Sequence, residues 1–160
     1  MTDLAFHALA AKVHAAATAA DLSFIFCNET HALAPYRQAA LVGFFGARRT
    51  RLAGHSGLAD VDANSPYALW LADVANRLRP QLDALPAAAR VMAVGPALLP
   101  PALAAAWADW LPDHVWVLSL AGPDGRSRAA LFLGRDTPWP ADFDAGAPEY
   151  LLLQAALLYG

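Results

Sequence analysis

Residues 115–134 read VWVLSLAGPDGRSRAALFLG, and this stretch decides the fold. Two apolar runs lie on either side of Gly122-Pro123-Asp124-Gly125. Within these four residues proline restricts φ and glycine accepts a positive φ, as a tight turn requires. Two strands joined by so short a connection pair in the antiparallel sense, because parallel strands need a crossover of roughly a dozen residues. The stretch therefore predicts an antiparallel β-hairpin.

The residues before this hairpin predict two helices and a first hairpin. Residues 3–19 and 21–34 place apolar side chains at helical spacing. For the second run, a short strand at LSFIFC (22–27) is the competing interpretation, because aromatic and β-branched residues favour strands. We prefer the helix, since its pattern continues until Pro35. Residues 38–58 contain two short apolar runs around a polar GARRT segment, which is typical of a β-hairpin.

The middle and the end of the chain predict three further helices and one strand. Ser65 followed by proline is a strong helix start, and the apolar stripe that follows continues up to Pro80. Residues 89–95, ARVMAVG, predict a strand. A short helix, PALAAAWADWL (101–111), precedes the long hairpin, and EYLLLQAALLYG (149–160) predicts a final helix. Helices between hairpins favour an α+β domain built on one antiparallel sheet.

Composition and charge restrict the class of protein. A chain of 160 residues is the size of one domain, so we expect a single core over residues 1–160. The formal net charge is −3, and the basic cluster at Arg48, Arg49 and Arg51 is too small for a nucleic-acid interface. One cysteine excludes an internal disulfide framework. The N-terminus lacks the basic head and apolar run of a signal peptide, so we expect a cytoplasmic location.

The order of these elements resembles a GAF domain. Such a domain would have a central antiparallel sheet of about five strands with helices on both faces. The first and last helices would lie on one face, and the middle helices on the other. More narrowly, four segments that together cover almost the whole chain resemble the GAF-like N-terminal region of HlyD-type membrane-fusion proteins, the periplasmic adaptors of bacterial secretion and efflux systems. These segments are NETHALAPYRQAAL (28–41), NSPYALWL (64–71), WADWLPDHVWVLSL (107–120) and LFLGRDTPW (131–139).

The resemblance implies a non-enzymatic regulatory or assembly domain of a secretion or efflux adaptor. Such a domain would act by contact with itself or with an inner-membrane transporter, and we expect a homodimer through the first and last helices. Adaptors of this type continue into a transmembrane helix, so the chain is interpreted either as the cytoplasmic domain of a longer, inner-membrane-anchored protein or as a stand-alone relative, and we prefer the first. The alternative is a small-molecule sensor with a pocket between the sheet and residues 107–116. Neither function implies a cofactor.

Cys27, Glu29 and His31 have the side chains of a metal or catalytic cluster, but helical geometry separates them. On a helix Cys27 and His31 share a face, whereas Glu29 points to the opposite side. A closed zinc site also needs a fourth ligand and usually more sulfur. A lone buried cysteine behaves as a small hydrophobic side chain. We therefore expect neither a metal site nor a catalytic residue here.

Tyr36, Arg37 and Gln38 are the polar candidates for ligand binding. They lie where the chain enters the first strand. The guanidinium of Arg37 is suited to an anionic ligand, because it binds carboxylate or phosphate through two parallel hydrogen bonds. An ion pair or a contact with a helix C-terminus is the competing interpretation of Arg37, and we prefer it.

Trp107, Trp110 and Trp116 are the aromatic candidates. They surround the short helix and the next strand, in the region that helps to wall the ligand pocket of GAF domains. Aromatic walls suit a flat ligand. Large aromatic side chains also fill protein cores, and this competing interpretation carries more weight.

Overall fold

The structure is a computed structural model that describes residues 8, 11, 12, 15, 24, 25, 27, 28, 36–45, 49–58, 61–86, 90–122 and 124–139. The strands in these residues are β1 (Gln38–Phe44), β2 (Thr50–His55), β3 (Val91–Val94), β4 (His114–Ala121) and β5 (Ser127–Arg135). They form one sheet in the order β2-β1-β5-β4-β3, in which every neighbouring pair is antiparallel. The predicted α+β fold with a five-stranded antiparallel sheet is confirmed.

The hairpin of β4 and β5 forms at the turn that the sequence predicts. The amide of Gly125 donates to the carbonyl of Gly122 at 3.0 Å, and the amide of Gly122 donates to the carbonyl of Arg126 at 2.9 Å. Gly125 has a φ of 80°, a conformation that other residues adopt only with strain. Because β5 also pairs with β1, this hairpin lies at the centre of the sheet.

The longest described helix, α1 (Pro66–Asp83), packs against one face of the sheet. Oγ of Ser65 accepts a hydrogen bond from the amide of Ala68 at 3.2 Å and caps the first turn, as predicted. The predicted end at Pro80 is wrong, because the helix continues past it. A proline in the last turn removes few backbone hydrogen bonds, and Leu82 remains fully buried in the core beyond it.

The helix predicted at residues 101–111 is interrupted. The helical segments in this region are a 3-10 turn (Pro96–Leu98), α2 (Pro101–Ala104) and α3 (Trp107–Trp110). The indole Nε1 of Trp70, in α1, donates to the carbonyl of Leu103 at 3.0 Å. In a continuous helix that carbonyl would accept from the amide four residues further on. The carbonyl of Leu103 also accepts from the amide of Ala106, three residues further on, at 3.3 Å, so the backbone tightens where the longer helix would continue.

The alternation of side chains along the strands gives the sheet two apolar faces. One face packs against α1, and its buried side chains include Val42 and Phe132. The buried side chains of the opposite face include Leu41 and Leu118. The core therefore has two layers, one on each side of the sheet.

Helical residues cover the second face as well. Residues 24, 25, 27 and 28 are helical, so the competing strand interpretation is wrong there, and Ile25 and Cys27 pack on the face opposite α1. Residues 8, 11, 12 and 15 are also helical, whereas the helix predicted at 149–160 lies outside the described residues. None of the described helices is both long and apolar enough to cross a bilayer.

Candidate functional site

The sheet divides the predicted ligand-binding residues into two groups. Trp107 and Trp110 belong to the core on the α1 side, where Gln38 also lies. Tyr36 and Trp116 pack on the opposite face. Trp116 points away from the other two tryptophans because its two neighbours in β4 face α1, and side chains alternate along a strand. The three tryptophans therefore do not form one wall.

Tyr36 and Arg37 have partners within the protein. The hydroxyl of Tyr36 donates to the carbonyl of Cys27 at 3.2 Å and connects the helical residues to the start of β1. Nε of Arg37 lies 2.8 Å from Oδ2 of Asp136, and the two side chains are 56% and 64% exposed. The ion pair that we prefer for Arg37 from the sequence is present. Such an exposed pair contributes little to stability.

Gln38 is the centre of a polar cluster at the start of β1. Its Nε2 donates to Oη of Tyr67 at 3.2 Å and to the carbonyl of Trp110 at 3.3 Å, and lies 3.4 Å from Nε2 of His55. A carbonyl can only accept, so the contact with Trp110 orients the amide with its nitrogen towards all three partners. We call these four residues, Gln38, His55, Tyr67 and Trp110, the Gln38 site.

The hydrogen bonds of His55 define its tautomer. Nδ1 lies 2.8 Å from the carbonyl of Ser56, so Nδ1 carries the proton and donates. In the neutral ring Nε2 is then the acceptor that faces Nε2 of Gln38. From the start of β1, the amide nitrogen of Gln38 thus reaches β2, α1 and α3.

Tyr67 is the residue of the Gln38 site with an unused donor. Its oxygen accepts from Gln38, and no described residue accepts the proton of its own hydroxyl. Burial raises the pKa of Tyr67 to about 12, although the Gln38 hydrogen bond opposes this shift. The hydroxyl therefore stays protonated near neutral pH. The Tyr67 ring stands edge-on to the His55 ring, with 5.4 Å between the ring centroids, and is tilted against the Trp110 ring, with 5.9 Å between the centroids.

Trp107 is a core residue, whereas Trp110 lies at the border between the core and the Gln38 site. Trp107 is 3% exposed, and its Nε1 donates to the carbonyl of Pro112 at 3.0 Å. Its ring meets the Trp70 ring edge-on, with 6.2 Å between the ring centroids, and the Trp70 ring packs against that of Trp110, with 5.4 Å between the centroids. Trp110 and Trp116 are both half-buried, and of the three predicted tryptophans Trp110 is the one joined to the polar cluster.

Sequence reasoning found Gln38 and Trp110 but missed His55 and Tyr67. Tyr67 lies in the first turn of α1, and His55 is the last residue of β2. Their partner in β1 is distant in sequence. The available signal was an aromatic residue at a helix start within NSPYALWL, which by itself does not indicate what it contacts.

The Cys27 thiol is buried completely, and Glu29 and His31 lie outside the described residues. In the part of the chain that the structure describes, no three potential metal ligands of the histidine, cysteine and carboxylate types lie close enough to share an ion. Burial raises the pKa of Cys27 from 9.0 to about 12, and a hydrogen bond to the backbone of Leu41 opposes this shift. The thiolate, which is the reactive form, is therefore scarce near neutral pH.

We expect iodoacetamide to alkylate Cys27 far more slowly in the folded protein than in urea. The shift from 9.0 to about 12 lowers the thiolate fraction roughly a thousandfold at pH values below both. Between pH 9.0 and about 12, Cys27 keeps its proton in the folded chain and loses it in the unfolded chain. The free energy of unfolding should therefore fall as pH rises through this interval. Mass spectrometry against time measures the alkylation. Equal rates with and without urea would show that the thiol is accessible.

Two clefts lie away from the Gln38 site. A cleft of about 550 Å³ is lined mainly by charged side chains from α1 and from the β4–β5 turn. A second cleft of about 250 Å³ is more apolar, and its lining includes Leu41, Phe45 and Ala53. Neither cleft is lined by a residue that the sequence analysis singled out for ligand binding.

No protein-family model matches the sequence, and no curated protein matches it significantly. The chromophore-binding domain of an unusual bacteriophytochrome from R. palustris is 12% identical, with a TM-score of 0.71 over 99% of this chain and 60% of that chain. The GAF domain of a protein described as a sensor histidine kinase from Pseudomonas syringae pv. tomato is 11% identical, with a TM-score of 0.56 over 95% and 81%. An N-acylhomoserine lactone dependent LuxR-family transcription factor from Burkholderia cenocepacia is 18% identical, with a TM-score of 0.62 over 98% and 93%.

These similarities, together with the sheet order, show that the chain has a GAF-like fold. The chain spans 60% of the length of the phytochrome domain. At such low identities the likeness concerns the fold alone. The finer likeness to secretion adaptors stays a prediction from the four sequence segments.

Proposed function

We propose that this chain is a non-enzymatic, GAF-like sensor domain that binds a small organic molecule beside the Gln38 site. The fold supports the proposal, since proteins that share it include a chromophore-binding domain and an N-acylhomoserine lactone dependent transcription factor. The observation that carries the proposal is the hydroxyl of Tyr67, a half-buried donor for which no described residue provides an acceptor. A ligand with an oxygen or nitrogen acceptor would complete its hydrogen bonding.

The chemistry of the Gln38 site favours a neutral, flat ligand. Gln38, Tyr67 and Trp110 carry no charge, and His55 is neutral when its Nε2 accepts from Gln38. The Tyr67 hydroxyl would donate to a carbonyl or ether oxygen of the ligand, while the half-buried ring of Trp110 would supply an apolar surface. Gln38 would hold the Tyr67 hydroxyl in place through its hydrogen bond and would not contact the ligand itself.

We expect Tyr67→Phe to weaken ligand binding about tenfold, the effect of losing one hydrogen bond to the ligand. The substitution keeps the ring and its contacts with His55 and Trp110. A thermal-shift screen of neutral lactones, amides and aromatic compounds would first identify ligands, because a compound that binds only the folded state raises the melting temperature. Calorimetric titration of the hits then measures affinity for the wild type and the variant.

Tyr36→Phe is the matched control for Tyr67→Phe. It removes a hydroxyl of the same kind from the opposite face of the sheet, where that hydroxyl donates to Cys27. Ligand affinity should be unchanged in this control. The proposal fails if no compound stabilises the protein, or if the hits bind Tyr67→Phe and wild type equally well.

We propose, as a second candidate function, a cytoplasmic assembly domain of a membrane-anchored secretion or efflux adaptor, on the four segments that resemble such adaptors. It would pair with itself through its first and last helices or contact an inner-membrane transporter. Phe24, a helical residue of the second predicted helix, is 46% exposed and offers an apolar surface to such a partner. Light scattering across micromolar to millimolar concentrations tests self-association. This function would be contradicted if the protein stays monomeric at every concentration and also forms no larger complex when a detergent-solubilised transporter is added.

A further inference from the structure

The larger cleft, which we call the arginine cleft, lies at the opposite end of β1 from the Gln38 site. Its lining comprises Phe44, Arg79, Asp83, Asp124, Arg126, Ser127 and Arg128. Phe44 is the last residue of β1 and Gln38 is the first, so the strand separates the two sites by roughly 20 Å at the usual rise per residue. The arginine cleft is therefore independent of the Gln38 site.

The two carboxylates of the arginine cleft are directed to backbone amides. Oδ1 of Asp83 accepts from the amide of Ser127 at 2.6 Å, and Oδ1 of Asp124 accepts from the amide of Arg126 at 3.1 Å. These contacts connect α1 to the start of β5 and brace the β4–β5 turn. Within the described residues neither carboxylate forms an ion pair with Arg126 or Arg128.

The guanidinium groups of the cleft point to an oxyanion ligand. No described carboxylate lies within ion-pairing distance of Arg126, which is exposed, or of Arg128, which is half-buried. The guanidinium of Arg79 is placed by Phe44, since its central carbon lies 4.6 Å from the ring centroid. Three arginines and two aspartates line this concave surface, so cations outnumber anions there although the net charge of the chain is −3.

A buried arginine supports the turn that presents these groups. Arg90 is 5% exposed, and its guanidinium donates to the carbonyl of Gly125 at 2.8 Å and to the carbonyl of Leu85 at 3.2 Å. Behind the turn, the hydroxyls of Ser119 and Ser127 lie 2.6 Å apart. This network orders the backbone of the turn before any ligand arrives, which lowers the entropic cost of binding.

We propose that the arginine cleft binds a small organic anion through phosphate or carboxylate groups. Guanidinium groups match both oxyanions geometrically, and the mainly polar lining disfavours an apolar ligand. A volume of about 550 Å³ falls within the range of small-molecule sites and exceeds what one inorganic phosphate fills. Nucleic acid is disfavoured, because the cleft also holds two carboxylates and a polyphosphate chain needs a longer track of cations.

The test is a titration of the ¹⁵N-labelled protein with inorganic phosphate, citrate and ADP at constant ionic strength, followed by amide chemical shifts. We expect saturable shifts confined to the turn and the start of β5, for at least one of the three anions. If phosphate and ADP give saturable shifts and citrate does not, the site recognises phosphate groups. If citrate alone gives them, the site recognises carboxylates. The Gln38 site lies at the other end of β1, so its failure to bind any compound would leave this result unaffected.

Variants separate site binding from general attraction of anions. Arg126→Gln and the double variant Arg126→Gln with Arg128→Gln should each weaken binding, the double variant by about tenfold or more. Arg77→Gln is the matched control, since Arg77 is an exposed arginine of α1 outside the cleft. The proposal is overturned if no anion gives saturable shifts, or if Arg77→Gln weakens binding as much as Arg126→Gln. The single variant at the exposed position keeps the test valid if the double variant unfolds.

Discussion

Trp107→Ala should lower the free energy of unfolding by about 4 kcal/mol. The side chain is 3% exposed and lies in the layer of core between the sheet and α1, so its removal leaves a large cavity. The substitution also leaves the carbonyl of Pro112 without the indole donor at 3.0 Å. Urea unfolding followed by far-ultraviolet circular dichroism measures the change, because this signal does not depend on tryptophan fluorescence.

Two further substitutions separate the parts of this effect. Trp107→Phe fills most of the cavity and removes only the indole donor, so we expect a smaller loss of about 2 kcal/mol. Trp110→Ala should also cost less than Trp107→Ala, because Trp110 is only half-buried. A loss below about 1 kcal/mol for Trp107→Ala would mean that the indole fills no core space and would reopen its interpretation as a ligand wall.

Arg90→Ala should lower the free energy of unfolding by about 3 kcal/mol. The guanidinium is 5% exposed and serves two carbonyls, those of Gly125 and Leu85. It also lies 3.5 Å from Oγ of Ser119, beside the buried contact of Ser119 with Ser127. Truncation removes the donors but leaves these acceptors in place, and a partly buried acceptor without a donor is costly. Urea unfolding again measures the change.

Arg90→Lys and Arg51→Ala provide the comparison for this prediction. Lysine keeps the charge but cannot reach both carbonyls from one planar group, so we expect a loss intermediate between wild type and Arg90→Ala. Arg51 is an exposed arginine of β2, and its truncation should change stability by less than about 0.5 kcal/mol. If Arg90→Ala and Arg51→Ala have equal effects, the buried network does not stabilise the turn.

The two stability predictions also bear on function. Arg90 orders the turn that presents Arg126 to the arginine cleft, so Arg90→Lys should weaken anion binding less than Arg126→Gln does, provided that the variant remains folded. The indole of Trp107 donates to Pro112 and makes none of the polar contacts of Gln38, so Trp107→Phe should leave those contacts in place. Loss of stability and loss of binding can therefore be measured on different residues.

Local signals account for the parts of the fold that the sequence predicted well. The β4–β5 hairpin follows from apolar runs around a Gly-Pro-Asp-Gly turn, and the start of α1 follows from Ser65 before proline. The predictions that failed were at interrupted or extended helices. Pro80 did not end α1, because Leu82 beyond it packs in the core. Residues 101–111 did not form one helix, and the indole of Trp70 in α1 contacts the Leu103 carbonyl where the helix is interrupted.

The residues of each candidate site are far apart in sequence, and sequence patterns do not show that they meet in space. Gln38 was recognisable as a polar residue at a strand entry. Its partners His55 and Tyr67 come from β2 and α1, and the arginine cleft joins Arg79 of α1 to Arg126 beyond the β4–β5 turn. Trp116 illustrates the converse, since it lies close to Trp107 in sequence but on the other side of the sheet.

The sequence by itself determined where the five strands lie and where α1 begins. Those properties depend on backbone conformation and on periodicity over a few residues. Only the tertiary structure decided that Gln38, His55, Tyr67 and Trp110 meet at one end of β1 and that charged groups surround a cleft at the other. The reason is physical, because the pairing of strands and the packing of α1 bring together residues whose separation in sequence carries no signal of contact.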